Sequence, residues 1–263
     1  MGARFEKPAY ELSIGEIVSR SFNLYLTRPL DFVLPFVVAG AISAIPSIFF
    51  LVSFPIVSPT MSLERLLHHL GQGIIGSIVV GIVSGAVHMV ANGVALRYAS
   101  EILEGRTPTL TETLGFTMSR SISLLVAGIT AGILVMMGAM FLVVPGIVLA
   151  VVFYLVEPAI VIEQAGAISA LGRSKDLVGG RWLKTFCLVL IMVVLSAAIS
   201  SIPVLLGAAV ILGSPMSTFF ASILAAIVGP MGAIAKAYLY YSMRVKGVTM
   251  EQVVPPPPPP LGA

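Results

Sequence analysis

The sequence predicts an all-α protein that crosses a membrane six times. Three observations carry that prediction. Only 10% of the 263 residues are charged and 57% are hydrophobic, whereas a soluble domain carries about 25% charged residues. With so little polar surface, most of the chain must take lipid as its solvent. The hydrophobic residues also gather into long runs parted by short polar or Gly/Pro stretches. Finally, the basic residues fall almost entirely on alternate loops, the pattern of a chain threaded repeatedly through a bilayer.

Three regions follow. Residues 1–29 form an N-terminal segment with an amphipathic interfacial helix, residues 30–247 a six-span membrane domain, and residues 248–263 a flexible proline-rich tail. Arg4, Glu6, Lys7, Glu11, Glu16 and Arg20 interrupt the N-terminus before the apolar core of a signal peptide can form. Residues 12–27 predict the amphipathic helix. Ser13 and Glu16 make a capping box, in which the hydroxyl accepts from an orphan amide and the carboxylate reaches back to the cap. Ile14, Ile17, Val18, Ser21, Leu24 and Tyr25 share one face, which suits a helix lying among headgroups. Pro29 ends it.

Span 1 is expected over Leu30–Val57, with Asp31 at its mouth and Pro35, Pro46 and Pro55 predicting kinks or an early end. A polar loop with Glu64, Arg65, His68 and His69 follows, then span 2 over Ile74–Leu96, with a GxxxG spacing at Gly81 and Gly85 for close helix approach. Thr109 and Glu112 suggest a second capping box, after which Leu114, Met118, Ser121, Leu124 and Leu125 line one face leading into span 3. The chain is uncharged from Ser121 to Val156. One helix of that length would reach roughly 54 Å, against a bilayer core of about 30 Å. Pro145-Gly146 is therefore expected to mark a hairpin between span 3, Ile122–Val144, and span 4, Ile147–Ile162. A third amphipathic helix is predicted over Ala165–Val178, ended by Gly179-Gly180. Span 5 follows over Leu183–Leu212, with Pro203 inside, then a turn at Gly213-Ser214-Pro215 and span 6 over Thr218–Met243. Pro255–Pro260 is a polyproline II stub that offers a docking segment for a protein partner.

Of the fifteen Lys and Arg residues, only Arg65 falls on the far side of the predicted spans. The positive-inside rule places both termini in the cytoplasm of a cell membrane. Trp182, Tyr238, Tyr240 and Tyr241 would form an aromatic belt on that side. The three amphipathic segments align on Arg20-Ser21, Arg120-Ser121 and Arg173-Ser174, each preceding an odd-numbered span. Two readings are open: three parallel repeats of interfacial helix plus transmembrane hairpin, or the basic, amphipathic character of any loop entering a helix.

Charges inside a bilayer are costly and are usually functional or paired. His88, Asn92, Arg97, Glu157 and Lys236 sit toward one end of spans 2, 4 and 6 and form a candidate intramembrane polar cluster. A plainer reading has Arg97 and Lys236 snorkelling to headgroups and Glu157 capping or pairing locally. Arg20, Arg120, Arg173, Lys175 and Arg181 are candidate contacts for anionic lipid headgroups, worth about 1 kcal/mol each near the surface. His68-His69 lacks the further ligands a metal needs, and phosphate loops, HExxH and GxSxG are absent, so no metal, cofactor, nucleic-acid partner or catalytic role is expected. Cys187 is alone, so no intrachain disulfide is expected.

Pro145-Gly146-Ile147, Glu157-Pro158-Ala159-Ile160-Val161 with Glu163, and Ala170-Leu171-Gly172-Arg173-Ser174 with Leu177 and Gly180 carry a resemblance, as does the opening Leu12-Ser13-Ile14-Gly15-Glu16-Ile17 with Ser21. The chain resembles the membrane domain attached to some prokaryotic glycerophosphoryl diester phosphodiesterases and their stand-alone relatives of unknown function. The resemblance implies a six-helix module without established activity. It does not carry over hydrolysis, which in that family belongs to a separate soluble barrel. The expected function is a non-enzymatic membrane module that organises lipids or partner proteins through a basic cytoplasmic rim. The alternative is a small-solute or ion transporter or channel with a polar site among spans 2, 4 and 6.

Overall fold

The structure, a computed structural model, describes residues 5–53, 62–202 and 214–245. The expectations for Arg4, Pro55, Val57, Pro203, Gly213 and the proline tail lie outside the described residues. In chain order the helices are α1 (Ile14–Thr27), α2 (Pro29–Ser53), α3 (Leu63–Leu103), α4 (Leu110–Ser119), α5 (Ser121–Phe141), α6 (Val143–Val152), α7 (Val156–Val161), α8 (Ala167–Val178), α9 (Trp182–Ser200) and α10 (Ser214–Arg244). Among the described residues there is no strand. Among the described residues six stretches are long and apolar enough to span a bilayer: Pro29–Phe49, Leu63–Leu103, Ser121–Phe141, Val143–Val161, Trp182–Ser200 and Ile223–Arg244. The protein is an all-α polytopic membrane fold.

The local chemistry explains most boundaries. At the head of α1 the Ser13 side chain accepts from the Glu16 amide while the Glu16 carboxylate accepts from the Ser13 amide, closing the capping box. The Thr109 hydroxyl likewise accepts from the Glu112 amide at the head of α4. Gly180, with φ +80°, ends α8 in a conformation that side-chain-bearing residues rarely adopt.

The elements form three units of interfacial helix plus hairpin: α1–α2–α3, α4–α5–α6/α7 and α8–α9–α10. Each interfacial helix packs on the last turns of the even-numbered span before it. Thus α4 lies on α3 and α8 on α7, while α1 closes the ring by packing on α10. The amide of Leu12 seals that closure by donating to the Ser242 hydroxyl, 2.9 Å away. In each interfacial helix a fully buried hydroxyl residue stands at the same distance from the cap: Ser13 to Ser21, Thr109 to Thr117, Gly166 to Ser174. The middle copy therefore aligns through Thr117 and not through Arg120-Ser121. Its helix is shorter, stopping at Ser119, and Arg120 is already the junction to α5. For the same reason Leu114 and Met118 are exposed, and the buried side of α4 carries Thr113 and Thr117.

The core sits where the even-numbered spans converge, at Ala91–Leu103, Val156–Val161 and Ala233–Met243. Helix α10 is the axis: 61% of its apolar window is buried inside the protein, against 6% for α3. Tyr238, Tyr240 and Tyr241 belong to this core, at 5% exposure or less, and so do not form the expected headgroup belt. Several other expectations are corrected. The segment with Glu64, Arg65, His68 and His69 is not a loop but the first turns of α3, capped by Ser62. Over its 41 residues α3 runs about 60 Å, well beyond a bilayer core. Helix α2 continues through Pro35 and Pro46. Gly81 and Gly85 meet nothing within 4 Å, so their GxxxG spacing packs no helix among the described residues. The hairpin between spans 3 and 4 turns at Leu142, in extended backbone, and not at Pro145-Gly146. Pro145 falls in the first turn of α6, where its missing N–H leaves no helical bond unmade. Gly146 serves instead for close approach: a Cβ there would lie 2.8–2.9 Å from Ala139.

Candidate functional site

Span 4 is not one helix. Helix α6 stops at Val152 and α7 begins at Val156; the Phe153, Tyr154 and Val156 amides keep backbone partners, but the Leu155 amide and the Val152 carbonyl are bonded by a side chain instead. The side chain of Ser174, wholly buried on α8, bridges the gap. Its hydroxyl donates to the Val152 carbonyl at 2.6 Å and accepts from the Leu155 amide at 3.1 Å. A broken span whose freed groups are satisfied by neighbouring protein is how irregular backbone survives at membrane depth.

The break positions two side chains. Glu157 stands in the first turn of α7, where the helix dipole favours a carboxylate. Tyr154, inside the break, turns its ring under the Lys236 ammonium, 5.0 Å from the ring centre. The Lys236 Nζ donates to Glu157 Oε2 at 2.6 Å. These side chains are 16% and 19% exposed, and both line a cavity of about 290 Å³. Its other walls are largely apolar, with Met89, Gly128, Ala131, Gly132 and Phe153 among them. An ammonium has three donors and a carboxylate about four acceptor sites, so one bond between them leaves hydrogen-bonding capacity facing the cavity.

The rest of the predicted cluster does not converge here. Arg97 pairs with Glu101 on its own helix at 2.7 Å and lies over the Phe116 ring, 4.1 Å from its centre. Its Nη1 also reaches the Val161 carbonyl at 3.5 Å. His88 Nδ1 lies 3.0 Å from the Ser84 carbonyl and 3.4 Å from the Ser43 hydroxyl, and Asn92 donates to the His88 carbonyl at 3.0 Å. Of the five residues, only Glu157 and Lys236 pair side chain to side chain. Tyr154 and the bridging role of Ser174 have no signature in a single sequence, since each depends on how α8 and α10 register against the break.

The candidate headgroup contacts are mostly engaged by the protein itself. Arg20 donates to the Tyr10 hydroxyl at 2.9 Å and lies 3.8 Å from Glu16. Arg120 donates to the Gln164 side chain at 2.9 Å, and Arg181 reaches Glu11 at 3.2 Å, where Lys184 joins it at 2.8 Å. Arg173 makes two bonds of 2.8 Å to Glu163, and Arg244 flanks the same carboxylate at 3.4 Å. Burial pushes the Glu163 carboxyl up, but the Arg173 bonds, the nearby Tyr240 hydroxyl and the charges of Arg173 and Arg244 outweigh it and hold it below its ordinary value. The Arg173 guanidinium is correspondingly raised, chiefly by its bonds to Glu163. Lys175 is exposed. Asp31 accepts a 2.6 Å bond from Tyr98, which in turn accepts from Arg28.

On α3, His68 lies 2.9 Å from Gln72. Among the described residues no three His, Cys, Asp or Glu side chains gather as a metal site would require.

No curated protein and no solved structure matches the chain. A family model does match, over residues 30–242, from the first residue after Pro29 through the Ser242 that receives the Leu12 amide. That stretch holds all six spans, the broken helix and the Glu157–Lys236 pair, and by it the chain belongs to the family described as Domain of unknown function (DUF7847).

Proposed function

We propose that this protein is a non-enzymatic integral membrane module that holds and organises lipids. One observation carries the reading: the cavity beside Glu157 and Lys236 lies within the spanning region and sets an ion pair against largely apolar walls. An occupant that matches both surfaces is amphiphilic. A basic cytoplasmic rim plays a smaller part in this reading than composition suggests, because Arg20, Arg173 and Arg181 already face carboxylates of the same chain. By the positive-inside rule the ion pair lies in the cytoplasmic leaflet of a prokaryotic cell membrane, with both termini cytoplasmic.

Bound-lipid analysis tests this. The full chain, purified from mixed bilayers and washed extensively with detergent, is expected to retain lipid in stoichiometric amount. Complete delipidation without loss of stability would defeat the reading. The break at the cavity supports a second reading, transport of a small solute, since discontinuous spans line many transport sites. Flux into proteoliposomes that Glu157→Gln abolishes would favour it over the first.

A further inference from the structure

We infer that the cavity between α5, the α6/α7 break and α10 is a binding site for a zwitterionic group carrying a primary ammonium and an anionic oxygen, the chemistry of a phosphoethanolamine headgroup. This rests on the lipid-module reading above and names the headgroup.

The argument is one of charge balance. Lys236 and Glu157 offer one positive and one negative group, 2.6 Å apart and both mostly shielded from solvent. A purely anionic guest would draw the ammonium away and strand the carboxylate, and a purely cationic one would strand the ammonium. An unpaired charge in such a setting is costly. A zwitterion strands neither. Its anionic oxygen accepts from the ammonium donors that the Glu157 bond leaves over, and its ammonium donates to the remaining carboxylate lone pairs. The bonds to Glu157 require N–H donors, so a primary ammonium suits it where a trimethylammonium does not.

The walls point to the source. Ala131 and Gly132 present little side chain along α5, and a Cβ at Gly132 would meet nothing within 4 Å, whereas the end of Met89 fills the space over Gly128. That leaves an apolar opening by Ala131 and Gly132 beside the ion pair, suited to the start of an acyl chain and of no use to a free amino acid. The Tyr154 ring, which lines the same cavity, lies against the ammonium at 5.0 Å. The source is therefore a lipid, with the free zwitterion as the competing one.

Native mass spectrometry of the purified full chain with equimolar phosphatidylethanolamine, phosphatidylcholine and phosphatidylglycerol tests the inference. Retention of the ethanolamine lipid is expected to exceed each of the others about tenfold, the scale of one charge-assisted hydrogen bond. The double variant Glu157→Gln, Lys236→Met removes both charges without stranding either, and is expected to bind all three lipids alike. Free phosphoethanolamine and free amino acids are expected neither to displace lipid from the lipid-loaded protein nor to shift the Tm of the delipidated protein. Displacement by either would assign the site to a soluble zwitterion. Preference for phosphatidylglycerol, or an ethanolamine preference unchanged in the double variant, would overturn the inference while leaving a lipid-holding module standing. Retention of no lipid at all would remove that reading as well.

Discussion

Replacing Ser174 by Ala deletes one oxygen and leaves two buried backbone groups, the Val152 carbonyl and the Leu155 amide, without the partner that now spans the break. Leu155 is fully buried, so water has no easy route to substitute. An unsatisfied buried group costs about 1–3 kcal/mol, which puts Ser174→Ala at roughly 2–5 kcal/mol. Ser21 provides the control. It occupies the equivalent position of α1 and is equally buried, yet its hydroxyl only donates back to the Ile17 carbonyl of its own helix, at 2.6 Å. Removing that bond frees no break, and Ser21→Ala is expected to cost less than about 1 kcal/mol. Thermal unfolding of both variants in one detergent reads the difference. At about 2–4 °C per kcal/mol, Ser174→Ala should lower Tm by roughly 5–15 °C and Ser21→Ala by a few degrees at most. Equal shifts for the two would refute the claim that Ser174 holds the broken span together.

Other expectations follow from the same geometry. Lys236→Met alone leaves Glu157 facing apolar walls and is expected to destabilise by about 3 kcal/mol or more, whereas adding Glu157→Gln should restore much of the loss in a double-mutant cycle. A single variant no worse than the double would argue that the pair is solvated. The Glu163 carboxyl is held below its ordinary value of 4.5 in the folded protein. Its contribution is thus fully present above that value and lost as pH falls through the lower, folded one. Glu163→Gln should flatten the acid limb of a Tm-versus-pH curve, and an unchanged limb would contradict the pairing. Gly146→Ala places a methyl against Ala139 backbone that cannot swing aside and should cost about 1–3 kcal/mol. Gly81→Ala meets nothing and should be neutral or stabilising by up to about 1 kcal/mol, so similar losses at both would refute the hairpin packing.

Most of the architecture is legible in the sequence because lipid imposes a coarse rule: a helix long and apolar enough must span. The Ser13–Glu16 box, the interfacial helices and all six spans answer to local chemistry. What local chemistry cannot supply is distance across the fold. Glu157 and Lys236 are 79 residues apart, and nothing in either segment names the other. The polar start of α3 looks like a loop because charges lower its hydropathy, although the Ser62 cap favours a helix there. Pro145-Gly146 has turn composition, but proline is equally at home in a first helical turn, and an extended leucine makes the actual bend. Arg120-Ser121 matches its counterparts as a string while Thr117 matches them in space. A buried hydroxyl can be Ser or Thr, and the string records the wrong feature.

The contact of α1 with α10 joins the first of the described helices to the last of them. Chains leave the ribosome from the N-terminus, so α4 and α8 find their supporting spans already synthesised, whereas α1 must wait for α10. Until α10 arrives, the apolar face of α1 has no seat and the Leu12 amide has no Ser242 to bond. Docking of α1 is therefore a report that α10 has been made. A chain truncated before α10 would expose that face, and quality-control proteases would meet it at the N-terminus, far in sequence from the missing piece.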